Sequence, residues 1–247
     1  MSTTTRAGSD DERRLFFERY ASEYDRTLNK YDVARRTEVI FDELAVPGEM
    51  KGRMVLDLGC ATGWLSERAA REGATVVAVD LGPRLVSAAR ARAKCAGVIA
   101  DMTALPFREG SFDFVINPEV IEHVQDQASA VTNMARVLKP GGSLLLTTPN
   151  RPWLWVITLA TRLKLRPYEG IENWISLARL RKLMAERNLV IEKYQGFNLF
   201  WPFSHVIPGL PDKLVASAYN LERRVGPHLR LLALNVALRA RKRESRI

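Results

Sequence analysis

Val55-Leu56-Asp57-Leu58-Gly59-Cys60-Ala61-Thr62-Gly63 begins as an apolar run, passes an acid and ends in two glycines four residues apart. Residues 54–58 have the length and composition of a buried strand, and a helical stretch, 64–72, follows at once. Glycine in the intervening turn permits positive φ or close approach of a ligand, and the helix start leaves N–H groups unpaired. A second strand, 74–79, runs into Asp80, about 20 residues beyond Gly59, where an acid can accept both hydroxyls of a ribose. Strand, turn, helix and strand in this order predict a right-handed parallel crossover.

The alternation continues outward. Short apolar runs at 97–100, 112–116 and 143–147 predict three more strands, with helices at 83–95 and 127–138. Lys139-Pro140-Gly141-Gly142 reads as a helix stop and a tight turn before the fifth strand. Upstream, Leu15, Phe16, Tyr20, Tyr24, Val33, Ile40, Phe41 and Leu44 recur near helical spacing and predict two helices, ended by Pro47-Gly48. Downstream come a helix at 176–187, a strand at 189–194 and a last strand-like run at 233–238. Between those two strands, 196–230 holds Phe197, Phe200, Trp201, Phe203, Ile207, Leu210 and four prolines, with a helix around 212–225.

The expected architecture is α/β: a Rossmann-like seven-stranded mixed sheet with helices on both faces and an insertion between the last two strands. Residues 1–11, polar and charged, are expected to be a disordered tail, and 12–247 a single domain. Within it 12–50 form an N-terminal helical cap, and 196–230 a substrate lid.

The 47% hydrophobic and 26% charged content excludes disorder or a fibrous repeat for the bulk of the chain. Its formal net charge of +9 includes Arg84, Arg90 and Arg92 on helical faces and the tail Arg239, Arg241, Lys242 and Arg243, read as solvated faces. Cys60 and Cys95 have no Cys/His cluster around them and fit a reducing cytoplasm. The N-terminus lacks the apolar core of a secretory signal, and the apolar stretch 153–160 is too short to span a bilayer.

Two cofactor classes compete for the first turn. In a dinucleotide site the pattern is G-x-G-x-x-G, and here Ala61 stands where the closely approaching middle glycine belongs. Asp57 would repel a pyrophosphate, whereas an ammonium and a cationic sulfonium would gain from it. With D-x-G-x-x-x-G, the strand-end Asp80, Asp101-Met102 before Leu105-Pro106-Phe107, and 138–142, the chain resembles the class I S-adenosylmethionine-dependent methyltransferases over about residues 52–150. The resemblance implies that Gly59 and Gly63 cradle the methionyl end and that Asp80 binds ribose. Asp101 would cap the adenine amino group and Met102 stack on adenine. Leu81 and Asn117 belong to the same cofactor-binding set.

The stretch Glu119-x-x-Glu122-His123 resembles, in addition, the quinone-pathway O-methyltransferases, where such a trio is associated with a divalent metal. That likeness implies a metal at Glu119, Glu122 and His123, with His123 as base or ligand. Alternatively Glu122-His123 simply starts a helix. Arg36 lies near where the related quinone enzymes place an arginine on the cofactor carboxylate; Arg35 is an alternative, and both could be surface charges.

The reading that follows is S-adenosylmethionine-dependent methyl transfer to an apolar or aromatic small molecule, at oxygen, such as a quinone precursor or a natural product. N-methylation of an amino sugar or methylation of a lipid is the alternative, and a non-catalytic basic docking module for nucleic acid or membrane is the alternative from another class. The expected partner is a small-molecule acceptor, with no nucleic acid and with peripheral membrane contact left open.

Overall fold

The computed structural model describes residues 15–163, 170–199, 212–225, 229 and 232–244. The expected tail at 1–11, and Phe200, Trp201, Phe203, Ile207 and Leu210 of the expected lid, lie outside the described residues.

Seven strands form one sheet: β1 (Met54–Leu58), β2 (Thr75–Asp80), β3 (Ala96–Ile99), β4 (Phe112–Pro118), β5 (Leu138–Pro149), β6 (Leu189–Phe197) and β7 (Asn235–Lys242). Their order is β3-β2-β1-β4-β5-β7-β6. The first five are parallel, and β7 runs antiparallel between β5 and β6. This is the mixed sheet expected from the alternation of apolar runs and helices.

Side chains alternate across the sheet, so each strand feeds two cores. Val55, Phe114, Ile116 and Leu145 face a layer built from Val39, Ile40, Phe41 and Leu44. Their neighbours Leu56, Val115, Leu144 and Leu146 face the opposite layer with Val131, Met134, Leu180 and Met184. Helices α4 (Trp64–Arg71) and α5 (Pro83–Ala93) are the crossovers of the first half, and α6 (Gln127–Val137) and α8 (Leu177–Ala185) pack on the second. Between these pairs, α7 (Leu154–Arg162) follows β5.

Where two N-terminal helices were expected, the described residues form three short ones, α1 (Phe16–Arg19), α2 (Tyr24–Thr27) and α3 (Lys30–Glu38), the last running on into a π-helical turn, Val39–Leu44. Asn29 explains the restart, because its side chain accepts from the N–H groups of Tyr31 and Asp32 and so caps α3.

The run 139–142 is not a turn ahead of the fifth strand. It is a bulge inside β5, since Phe112 pairs Leu138 and Phe114 pairs Ser143. Gly141 sits at φ +75°, and a Cβ on Gly142 would lie 2.9 Å from Lys139 O and 3.0 Å from Asp113 O, so both glycines are what lets the extra residues fold out.

In the C-terminal basic run Arg241 and Arg243 are exposed as expected, but Arg239 is no solvated charge. Arg239 lies inside β7, is 5% exposed, and gives two 2.7 Å hydrogen bonds to Glu49. In the insertion, α9 (Asp212–Val225) coincides with the expected helix.

Candidate active site

Strand order reverses between β1 and β4, the place where open α/β sheets bind their ligands. A cavity of about 330 Å³ occupies this crevice, and Arg36, Gly59, Asp80, Leu81, Asp101, Met102, Glu119 and His123 all line it. Residues scattered from 36 to 123 thus meet in one place.

The glycine turn is latched to the end of β2. Gly59 and Cys60 donate to Val79 O, while Asp80 accepts from Ala61 N and Gly82 N, each at 3.0 Å. Burial raises the Asp80 carboxyl above its ordinary range, and those backbone donors oppose the rise. Gly59, at φ +80°, admits the loop after β4: a Cβ there would lie 2.3 Å from Val120 Cγ2. Gly63, at φ +85°, has another task, because its Cβ would meet Ala89 Cα at 2.6 Å, so it lets α4 pack on α5.

Asp57 and Asn117 sit behind this wall. Asp57 is 1% exposed, accepts from Ser66 Oγ at 2.5 Å, and lines a smaller pocket of about 60 Å³ that it shares with Tyr24, Arg36 and Ala61. Burial pushes its carboxyl up to about 6. Asn117, fully buried, donates from Nδ2 to Leu58 O at 3.0 Å and joins the ends of β4 and β1. On the loop after β3, Asp101 accepts from Thr103 N at 2.8 Å and Met102 is buried against the cavity.

The N-terminal helices line the cavity with Phe17, Glu18 and Tyr24, none of which the sequence marks as a site residue. Glu18 accepts from Arg84 N and Leu85 N at the start of α5, and Asp25 accepts from Thr62 Oγ1 and Trp64 Nε1. An acid placed opposite a helix N-terminus is a tertiary relation, so spacing alone could not reveal it. Arg35 and Arg36 are not surface charges either. Arg35 is 2% exposed and bonds Glu222, whereas Arg36 enters the cavity wall, donates from Nη2 to Asp32 at 2.9 Å and keeps a buried Nε without a partner among the described residues.

Glu119 follows Pro118 with φ +52°, a conformation costly for a residue with a Cβ. It turns toward β7, where its Oε2 accepts from Asn235 Nδ2 at 2.6 Å. Glu122 enters the core and accepts from Thr148 Oγ1. His123 faces the cavity with Nδ1 2.8 Å from Ile171 O. The three head groups therefore point to three different partners. Among the described residues no group of three His, Cys, Asp or Glu side chains is arranged to hold a metal, so the expected centre at Glu119, Glu122 and His123 does not fit this arrangement. Burial raises Glu119 to about 7 against the pull of Arg36, and raises Glu122 well above the carboxylate range, with Glu119 adding to it.

Since a carbonyl only accepts, the contact with Ile171 O puts the His123 proton on Nδ1. In the neutral ring Nε2 then carries the lone pair. Phe17 packs edge-on against the imidazole at 5.3 Å between centroids.

A glycine turn, a strand-end acid and an acid–methionine pair converging at the switch point define a Rossmann-like enzyme with a nucleoside-type cofactor. The family described as a methyltransferase domain matches residues 56–146. The ubiquinone biosynthesis O-methyltransferase of Xanthomonas euvesicatoria pv. vesicatoria is 44% identical over 160 residues, 60% of this chain and 67% of that protein. Its namesake in Xanthomonas oryzae pv. oryzae is 35% identical over 170 residues, 64% of this chain and 71% of that one. Among solved structures, geranyl diphosphate C-methyltransferase from Streptomyces coelicolor superposes with a TM-score of 0.64 at 20% identity, covering 90% of this chain and 84% of that one. An S-adenosylmethionine-dependent methyltransferase from Mesorhizobium loti gives 0.59 at 18%, covering 78% and 92%. At such identities the superpositions speak for the fold. The chain belongs to the class I S-adenosylmethionine-dependent methyltransferases, and its cofactor is S-adenosylmethionine.

Proposed function

We propose that the enzyme methylates a hydroxyl oxygen of an apolar or aromatic small molecule, a quinone precursor being the preferred class. The observation that carries this is His123, whose ring lines the cavity and is oriented there by the 2.8 Å contact of Nδ1 with Ile171 O, which puts Nε2 on the basic side of the ring. The name shared by the Xanthomonas relatives supports oxygen as the acceptor atom.

When bound, S-adenosylmethionine supplies an electrophilic methyl group on a sulfonium whose departure leaves a neutral thioether. The chain's part is to orient the reactants and to remove a proton. Asp80 accepts the ribose hydroxyls, Asp101 the adenine amino group, Met102 stacks on the base and Leu81 packs beside it. Gly59 lets the methionyl end approach the backbone. The Nε of Arg36, without a partner among the described residues, meets its carboxylate, and Asp57 acts on its ammonium from the adjoining pocket. Asn117 holds the two strand ends together, and Gly63 the helices behind them.

As the new O–C bond forms and the S–C bond breaks, the hydroxyl proton passes to His123 Nε2. A phenol near 10 is a weaker acid than imidazolium near 6.5, so this transfer runs with bond formation and does not precede it.

We read 12–247 as one domain with 196–230 as acceptor cover, a view supported by the buried bond between Arg35 of α3 and Glu222 of α9. Cytoplasmic placement accords with the free thiols of Cys60 and Cys95. Among the described residues no helix is long and apolar enough to cross a membrane. Peripheral contact is supported by exposed Trp155, Leu159 and Leu163 beside exposed Arg151 and Arg162.

The test is to incubate the enzyme with methyl-labelled S-adenosylmethionine and a panel of phenols, catechols, amino sugars and lipids. Label in an ether oxygen of a phenol or catechol is expected. Label confined to amines or lipids would overturn the reading.

A further inference from the structure

Two buried asparagines connect the two halves of the cavity. Asn198, 1% exposed, donates from Nδ2 to Asp32 Oδ1 and, at 3.1 Å, to Asn235 Oδ1. Asn235, 5% exposed, donates from its own Nδ2 to Glu119 Oε2 at 2.6 Å. At the other end Asp32 accepts from Arg36 Nη2 at 2.9 Å. An unbroken line of hydrogen bonds thus runs from Arg36, through Asp32, Asn198 and Asn235, to Glu119, and its two termini both line the cavity.

The amide orientations are fixed by their partners. Asn198 faces two oxygens, so its nitrogen must point at them, and Asn235 must then offer its oxygen to Asn198 and its nitrogen to the carboxyl group of Glu119. Ordering of this kind needs a rigid frame. Asn198 takes φ +61°, a left-handed conformation that asparagine tolerates better than most residues, and its backbone N–H is held by Glu222 Oε1 at 2.8 Å. Glu222, fully buried on α9, also receives Leu199 N and Arg35 Nε. Packing alone would not call for this arrangement, since apolar side chains would fill the same space without the cost of burying amides.

We propose that Asn198 and Asn235 are positioning residues that hold Arg36 toward the cofactor and Glu119 toward the acceptor in one register, Asn198 serving both branches and Asn235 the acceptor branch. The inference rests on the reading above that Arg36 meets the methionyl carboxylate, and it takes Glu119, which lines the same cavity beside His123, as part of the acceptor's wall. Each residue acts through its neighbours and touches neither reactant. Losing a hydrogen bond to a charged or polar cavity residue costs on the order of tenfold in the binding it supports.

The test uses Asn198→Ala, Asn235→Ala and Arg36→Ala in the full chain. Calorimetry gives affinity for S-adenosylhomocysteine, steady-state kinetics give KM and kcat for an acceptor found in the labelling panel, and Tm reports folding. Asn235→Ala is expected to raise acceptor KM about tenfold and leave S-adenosylhomocysteine affinity within about twofold, whereas Asn198→Ala weakens both about tenfold. Asn235→Gln, which keeps the amide, should recover part of the KM loss. If both alanine variants lower Tm but bind and turn over as the native enzyme does, the relay is structural only and the proposal is overturned. Equal loss of both affinities in the two variants would overturn the division into branches. Should Arg36→Ala bind S-adenosylhomocysteine normally, the underlying assignment of Arg36 fails, which is a different result from a relay that fails while Arg36 holds. If an alanine variant does not fold, Asn198→Ser and Asn235→Ser carry the same comparison.

Discussion

Replacing Gly59 by alanine should damage the enzyme through one contact. The residue sits at φ +80°, where an added Cβ costs about 1–2 kcal/mol of backbone strain. That Cβ would also lie 2.3 Å from Val120 Cγ2 and 2.8 Å from Val120 Cγ1, an overlap that must push the loop carrying Glu119 and His123. Overpacking of this kind costs about 1–3 kcal/mol, so the sum is about 2–5 kcal/mol. For a domain of this size that is a fall in Tm of roughly 5–15 °C. Scanning calorimetry and titration with S-adenosylhomocysteine measure both effects, and about tenfold weaker binding is expected because the turn lines the cavity. The contact itself is tested by the double variant Gly59→Ala, Val120→Ala. Truncation removes both Cγ atoms and leaves only Val120 Cβ, at 3.1 Å, so the steric part should be recovered and the strain part kept. A Tm within a degree of native for Gly59→Ala alone would refute the reasoning, and so would a double variant no better than the single one.

Asp80→Ala should weaken S-adenosylhomocysteine binding by about 10- to 100-fold, since the lost carboxylate also frees Ala61 N and Gly82 N; unchanged calorimetric affinity would remove it from the site. His123→Ala should lower kcat by about 100-fold or more with little change in cofactor affinity, and retention of full turnover with the true acceptor would exclude His123 as base. Asp57→Asn should stabilise the apo-protein above neutral pH. Burial lifts Asp57 from its ordinary 3.8 to about 6, so the native state binds the proton more tightly than the unfolded chain and stability falls as pH rises through that window. Removing the charge should restore about 2–3 kcal/mol at pH 7 and flatten Tm between pH 4 and 6.5, to be followed by thermal melts. An Asp57→Asn protein with the native pH profile would contradict the assignment.

Much of the sheet could be read from the chain because each strand of the first half is a contiguous apolar run with its crossover helix beside it. The departures have a common cause. In 139–142, lysine, proline and two glycines carry the local chemistry of a turn, and what makes them a bulge is the pairing of Phe112 and Phe114 with Leu138 and Ser143 on a neighbouring strand. Arg239 looks like part of a basic tail until Glu49, far away in sequence, is seen to take two of its N–H groups. Partners distant in sequence decide both cases.

The same distinction separates the two ends of the cavity. Gly59, Asp80, Asp101 and Met102 all sit at or just beyond the ends of β1, β2 and β3, and a parallel sheet brings successive strand ends together without further instruction, so their spacing along the chain already implies their meeting. The acceptor end has no such guarantee. Glu119, Glu122 and His123 are neighbours in sequence, yet φ +52° at Glu119 and the core position of Glu122 send their carboxyl groups to Asn235 and Thr148. His123 is oriented by Ile171 and packed by Phe17, which lie far from it on either side in the chain. Short spacing on an irregular loop therefore carries little information about where side chains point. Wherever such a loop follows a strand end, the groups that matter are its distant partners, and in this enzyme Ile171 and Asn235 are the positions at which a change of acceptor preference should first be sought.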